Sequence, residues 1–347
     1  PRLSTTVPLR AIGPVAPPPP LLAGQPPIAI LVDYDGTVAR TDVSDTIMYE
    51  HVQGAWEDLV ARYEAGLLGS RDLMTWEMSL VEADPDQLLA TAAAQPHDVG
   101  FAPFVRRAQA AGIPVEVVSD GFGFFIPQAL ELLGVAGLPI ATAHTTFARG
   151  RAAIEFPNGH PDCFVCGTCK RSRVLAHQAA GRTVGFIGDG DSDRYAAGYS
   201  DVVFAKRSLV AICERNGWPY RAWNDFAEID AWLAATVDAW RLDPATLPGP
   251  GGAHPGRSGT GKDVGLRRRG EGDLTSGTPL DVHRGGGRWG GPFDHLLGGF
   301  SDSLPLPALP RPFLRPRVGG MPSRGCPDRI GPGGERGRSF GGGRLQG

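Results

Sequence analysis

Apolar runs and helical stripes alternate along the middle of this chain and predict an α/β protein. Ile28-Ala29-Ile30-Leu31-Val32 is a short, unbroken apolar run, the pattern of a central parallel strand covered on both faces. Helical patterns follow over 43–65, 70–83 and near 85–94. Within the first, Trp56, Leu59, Val60 and Tyr63 recur at i, i+3, i+4 and i+7 as a core-facing stripe. Three helical stretches with no strand between them predict a helical insert over the mouth of a sheet. The alternation then resumes: helix 104–111, strand 114–118, helix 124–133, strand 138–143. Segments 145–147 and 152–156 read as a hairpin around Arg149-Gly150-Arg151. Helix 171–180, strand 184–187, short helix 193–198 and a last strand 202–205 complete the pattern. This rhythm predicts a doubly wound parallel sheet, whose ligands sit outside the carboxyl ends of the strands.

Composition confines that pattern to the middle of the chain. Residues 1–27 include Pro17-Pro18-Pro19-Pro20 and no acidic residue, and 28 of the 49 glycines lie from Gly249 onward. Charge divides the same way: 249–347 carries 15 basic and 8 acidic residues, whereas 28–248 carries 17 and 29. The chain therefore reads as an acidic globule with a basic tail. The expected division is a Pro-rich disordered segment over 1–27, a core from 28–40 and 100–245, a helical cap over 41–99, and a Gly/Pro/Arg-rich disordered tail over 246–347. Such a tail lacks the apolar content to offset its ordering entropy. Its basic residues come without an aromatic ladder, so no specific nucleic-acid partner is expected. No apolar run reaches the ~18 residues of a membrane span, and prolines interrupt any signal-peptide core near Arg2 and Arg10. Five cysteines form no framework of paired spacings, which points to a reducing compartment and a cytoplasmic protein.

Chemistry concentrates at the predicted strand ends. Asp33-Tyr34-Asp35-Gly36-Thr37 follows the first strand, setting two carboxylates two residues apart with a glycine to turn the chain away. Two such acids are costly together unless a cation or a proton separates them. The economical arrangement has one attack and ligate a metal while the other handles protons. Ser119-Asp120-Gly121 ends the second core strand, where a hydroxyl and free amides make a seat for an anionic oxygen. Lys170 opens a helix in a chain with only three lysines against 31 arginines, and a compact ammonium suits neutralising one phosphoryl oxygen. Gly188-Asp189-Gly190-Asp191-Ser192-Asp193 follows another strand and offers hard oxygen ligands of the kind Mg²⁺ prefers.

In this order the four motifs resemble the haloacid dehalogenase superfamily of aspartate-nucleophile phosphotransferases, over about residues 28–220. The stretch Ser119–Ile126 with its Phe124-Phe125 pair is similar to two groups within it: methionine-salvage 2-hydroxy-3-keto-5-methylthiopentenyl-1-phosphate phosphatases, and phosphoethanolamine/phosphocholine phosphatases. Phe156-Pro157, the run from Cys163 to Cys169 into Lys170, and Gly69-Ser70-Arg71 resemble the first group in particular. Phosphoserine phosphatases are also similar, although Ser192 stands where they usually carry Asn. The resemblance implies a two-step hydrolysis of a small phosphorylated metabolite. Asp33 would be the nucleophile and Asp35 the acid and base. Mg²⁺ would lie among Asp33, the Asp35 carbonyl and Asp189. Ser119, Asp120, Gly121 and Lys170 would hold phosphate, and Asp193 would orient the metal shell or Lys170. Arg71 and Asp42 are candidate substrate contacts from the insert. Asp35 speaks against the dehalogenases themselves.

Other readings stay open at this level: a phosphoserine phosphatase or phosphomutase on the same core, or a binding protein on an inactive scaffold. Cys163, Cys166 and Cys169 could bind zinc with His160 or Cys213 as a fourth ligand. Gly256 to Lys262 matches most of a phosphate-binding loop, but Asp263 replaces its hydroxyl residue and no strand precedes it.

Overall fold

A computed structural model describes residues 9–251, apart from Ala55, Arg149 and Phe164. Most of the tail, with its Gly256–Lys262 loop and Cys326, lies outside the described residues. The core is a six-stranded, all-parallel sheet in the order β3-β2-β1-β6-β7-β8. Its strands are β1 (Ile28–Val32), β2 (Val115–Val118), β3 (Ile140–Ala141), β6 (Thr183–Gly188), β7 (Val202–Ala205) and β8 (Arg221–Ala222). The apolar run of β1 is buried throughout because it is the inner strand, paired with β2 on one side and β6 on the other.

Strand alternation sends neighbouring side chains to opposite faces. Ile30, Val32, Val115 and Val117 meet Phe104 of α5 (Phe101–Ala110) and Phe226, Ile229 and Leu233 of α10 (Phe226–Leu242). Leu31, Val118 and Phe186 meet Val174 of α7 (Lys170–Ala179) and Ala196 of α8 (Arg194–Ala197). Between β1 and α5 lie α1 (Val43–His51), α2 (Glu57–Glu64), α3 (Ser70–Leu80) and α4 (Pro85–Ala93). An antiparallel hairpin, β4 (His144–Ala148) with β5 (Arg151–Glu155), stands apart from the main sheet.

Several elements differ from the sequence reading. The helix expected over 43–65 is two helices, because Gly54 adopts φ 119° between them. The stripe on α2 faces the core but is only partly covered: Trp56 is buried in the core cluster and Val60 packs against it, while Leu59, Val60 and Tyr63 are half-buried and no residue of α2 itself is fully covered. The strand read over 138–143 is only two residues long. Residues 202–205 are not the last strand, since α9 (Ser208–Asn216), β8 and α10 follow. The 17 residues of α10 escape a pattern search because alanines occupy much of its surface and weaken the contrast between its faces.

The described part of the proline-rich segment, residues 9–27, makes contacts with the core. Its backbone is anchored from Leu9 onward: the amides of Ile12 and Val15 donate to His144 Nδ1 and Asn158 Oδ1, and Asn158 Nδ2 donates to the Gly13 carbonyl. Arg173 Nη2 donates to the Ala16 carbonyl while its other contacts hold the buried Glu116 carboxylate at 2.5 and 2.8 Å. His177 meets the same carboxylate at 3.0 Å. Hydrogen bonds from His177 and Arg173, with the guanidinium charge of Arg173, hold the Glu116 carboxyl below its ordinary range despite burial. At the other end, the Gly251 amide donates to Asp201 Oδ1 at 2.6 Å, so the chain is still held to the core there.

Candidate active site

Because all six strands run parallel, their carboxyl ends share one edge, and the predicted residues collect there. Asp33 closes β1 and is buried, its amide donating to the Ile187 carbonyl of β6 at 2.9 Å. The chain then turns through Gly36 at φ 68°, with the Gly36 amide donating to the Thr41 carbonyl. A Cβ at Gly36 would lie 2.1 Å from Asp189 Oδ2 and 2.6 Å from an Arg207 nitrogen. Glycine is required here by both conformation and space.

Lys170 is the first residue of α7 and is buried. Its Nζ donates to Asp33 Oδ1 at 2.7 Å, Asp193 Oδ1 at 2.6 Å and Ser192 Oγ at 3.0 Å, which uses all three donors of the ammonium. Burial alone would lower its pKa, but the carboxylates of Asp193 and Asp33 outweigh this and hold it above the ordinary lysine value. The second oxygen of Asp193 accepts from the amides of Asp189 and Gly190 at 2.8 and 3.1 Å. Asp193 thus spends its oxygens on Lys170 and on its own loop.

Asp33, Asp189 and Asp193 each bring a carboxylate oxygen within 4.8 Å of the other two. Burial raises the Asp33 pKa well above the usual carboxylate range, with Asp193 adding to the rise and Lys170 opposing it. Asp189 is pushed up to about 6, by burial first and Asp193 next, against the pull of Arg207. Such a cluster of hard, charge-crowded oxygens fits Mg²⁺.

Asp35 faces the opposite wall. Its Oδ1 accepts from the Val43 amide at 2.9 Å, and Ser44 Oγ donates toward Oδ2 at 3.4 Å. Burial raises its pKa, and the nearby Asp42 adds to the rise. A Cβ on Gly121 would come 2.6 Å from Asp35 Oδ2 and 3.3 Å from Ser119 Oγ, so a side chain there would wedge these groups apart. The Gly121 amide donates to the buried Ser119 hydroxyl at 3.2 Å.

Three other predicted residues lie where different work occupies them. The Asp120 carboxylate accepts from Ser70 Oγ at 2.5 Å and the Thr168 amide at 2.8 Å, joining α3 to the loop before Lys170. Asp42 is the N-cap of α1 and accepts from the Asp45 amide. Arg71 stacks its guanidinium 5.2 Å from the Phe156 ring centroid. Cys163, Cys166 and Cys169 line, together with His160, one small cavity beside Lys170. Among the described residues, the only group of three or more metal-ligating side chains gathered closely enough for an ion is the aspartate trio.

Sequence reading missed Ser44, Ser192 and Arg207. Ser192 lies in a motif already noted and Ser44 opens the first helical stretch, but a lone serine gives no signal by itself. Arg207 carries none at all before the fold brings it to Asp189. Glu77 of α3 is a further buried carboxyl, pushed up to about 8 by burial and then by Asp45 and Asp42. Its folded pKa exceeds the ordinary value of 4.5, so the native state holds this proton. The stability it contributes is complete below about 4.5 and is lost as pH rises toward 8. Glu77→Gln should therefore melt like the parent near pH 4.5 and above it at pH 8.5, by an amount worth a few kcal/mol. Equal melting temperatures at both pH values would contradict this assignment.

Residues 30–198 match the family model for haloacid dehalogenase-like hydrolases. Together with the fold and the aspartate-lysine site, this match defines the class: residues 30–198 form a haloacid dehalogenase-like hydrolase domain. Within that class the chain is similar to the 2-hydroxy-3-keto-5-methylthiopentenyl-1-phosphate phosphatase of an Exiguobacterium species, at 27% identity over 214 residues, 59% of this chain and 96% of the relative. It is also similar to the phosphatase of the same name from Lysinibacillus sphaericus, at 29% identity over 211 residues, 57% of this chain and 90% of the relative. Among solved structures, a phospho-aspartyl intermediate analogue of phosphoserine phosphatase aligns with a TM-score of 0.46 and 17% identity, covering 59% of this chain and 98% of that one.

Proposed function

We propose that this chain is a Mg²⁺-dependent phosphomonoesterase that works through an aspartyl phosphate on Asp33. One observation carries the reading: the buried Lys170 ammonium is shared between Asp33 and Asp193 at 2.7 and 2.6 Å. A lysine so placed favours the ionised form of Asp33 against its burial, aims the carboxylate, and offers its charge to an incoming phosphoryl oxygen. An oxygen of Asp33 attacks phosphorus as the ester P–O bond breaks, and Asp35 gives its proton to the departing oxygen. Asp35, now a carboxylate, takes a proton from water as that water's oxygen attacks phosphorus. This releases inorganic phosphate and restores Asp33. Ser119 and the Gly121 amide line the remaining side of the phosphate seat, while the Asp120 carboxylate is committed to Ser70 and Thr168. Mg²⁺ would be held by the Asp33 and Asp189 side chains and the Asp35 carbonyl, and would neutralise charge between phosphate and these acids.

For the substrate, we favour 2-hydroxy-3-keto-5-methylthiopentenyl-1-phosphate, supported by the names of the curated relatives. The four helices between β1 and α5 then act as a cap over the strand ends, with Ser70 tying the cap to the Asp120 turn. The purified chain, assayed on a panel of phosphate monoesters, should favour this ester over phosphoserine. Chelation should abolish turnover and added Mg²⁺ should restore it. Activity that follows zinc and disappears on replacing Cys163, Cys166 and Cys169 would overturn the metal assignment, and a preference for phosphoserine would overturn the substrate.

A further inference from the structure

Arg207 is the one non-glycine residue with positive φ among the described residues, at φ 49° and ψ −132°. This conformation suits glycine, and a side chain held there persists only where its surroundings over-determine it. What surrounds it is the candidate site. Nη1 donates to Asp189 Oδ2 at 2.9 Å, and Nη2 donates to the Arg40 carbonyl at 2.7 Å. The guanidinium passes so close to the turn after Asp35 that a Cβ at Gly36 would lie 2.6 Å from Nη1. One planar group therefore ties the end of β6 to the segment carrying Asp35, a geometry only a fork of donors provides.

We infer that Arg207 is a positioning residue for the metal carboxylate Asp189, and that its strained backbone is kept for that purpose. By occupying Oδ2 it fixes the rotation of the carboxylate, and the other oxygen takes no hydrogen bond among the described residues. By gripping the Arg40 carbonyl it sets the separation between Asp189 and the 33–41 segment. A surface ion pair alone would not account for this. Its side chain is 45% exposed, and an exposed pair contributes little, too little to favour arginine where glycine would be unstrained. The inference rests on the Mg²⁺ reading above.

Melting temperature is to be followed against Mg²⁺ concentration for the full chain, Arg207→Gly, Arg207→Lys and Asp189→Asn. The parent should be stabilised by Mg²⁺, and Asp189→Asn should not. In chelator, Arg207→Gly should melt no lower than the parent, because the strained conformation is relieved. Its Mg²⁺ midpoint should rise roughly 10–100-fold, the usual cost of losing a group that orients a metal ligand. Arg207→Lys, which keeps the charge but not the fork, should fall between the two, and it carries the test if the glycine variant does not fold. Midpoints within twofold of the parent for both variants would overturn the role of Arg207 and leave the metal site standing. A parent that Mg²⁺ does not stabilise, or an Asp189→Asn variant stabilised as much as the parent, would overturn the metal reading and this inference with it.

Discussion

Asp33→Asn is expected to leave no measurable turnover and no phosphoenzyme, whereas Asp35→Asn should retain slow turnover. The difference follows from their proposed roles. The amide at 33 cannot attack phosphorus, while the amide at 35 leaves the nucleophile and its Lys170 partner in place. Losing general acid–base help typically costs ~10²–10⁴-fold. With p-nitrophenyl phosphate, whose leaving group hardly needs a proton, the first step should suffer less than the second. Aspartyl phosphate should then accumulate in Asp35→Asn, visible as hydroxylamine-labile phosphate on a peptide containing Asp33. Phosphate found on Ser119, or full activity in Asp33→Asn, would refute the proposed chemistry.

Lys170→Met should abolish activity and destabilise the fold, the second effect depending on pH. Removing the ammonium leaves Asp33 and Asp193 buried without the cation that lay 2.7 and 2.6 Å away. Breaking a buried pair from one side costs about 3–5 kcal/mol. The Asp33 pKa is already raised by burial and by Asp193, and without Lys170 it should climb further. A folded pKa above the unfolded value means that lowering the pH restores stability. Urea unfolding should thus show the full deficit near pH 7.5 and a smaller one near pH 5. Lys170→Arg should not recover activity, because a planar fork cannot take the place of an ammonium enclosed by three oxygens. A Lys170→Met variant as stable as the parent at pH 7.5 would show that the aspartates do not depend on this cation.

Much of the core was legible because it depends on local pattern. The apolar runs that became β1, β6 and β7, and β2 apart from its buried Glu116, are covered on both faces, so they carry little polar alternation to obscure them. Asp33, Ser119, Lys170 and Asp189 could be read because each follows a strand or opens a helix, and a parallel sheet brings such positions to one edge. The side chain of Asp120 could not be placed, since its partners Ser70 and Thr168 lie far away in sequence. Arg207 was invisible for the same reason, and its backbone conformation contradicts the preference of its residue type. In the insert, periodicity identified helices and their inner faces but not how far each is covered, so the stripe on α2, buried at Trp56 and half-buried at Val60, looked fully covered. The hydrogen bonds of residues 12–16 could not be read in advance, because backbone groups make them to His144, Asn158 and Arg173, and composition does not report these.

The strand order also constrains how the chain can fold. β1 is made early but lies in the middle of the sheet, and Ile28 pairs with Thr183 far downstream. During synthesis its apolar edge toward β6 stays unpaired while the cap helices, β2, the hairpin and α7 emerge. Closing so long a loop delays the gain from pairing, and parallel sheets of high contact order fold slowly for this reason. Until β6 arrives, the exposed edge of β1 is open to pairing with another chain. Expression at low temperature or with chaperones should therefore favour recovery of this protein, whatever the stability of its finished core.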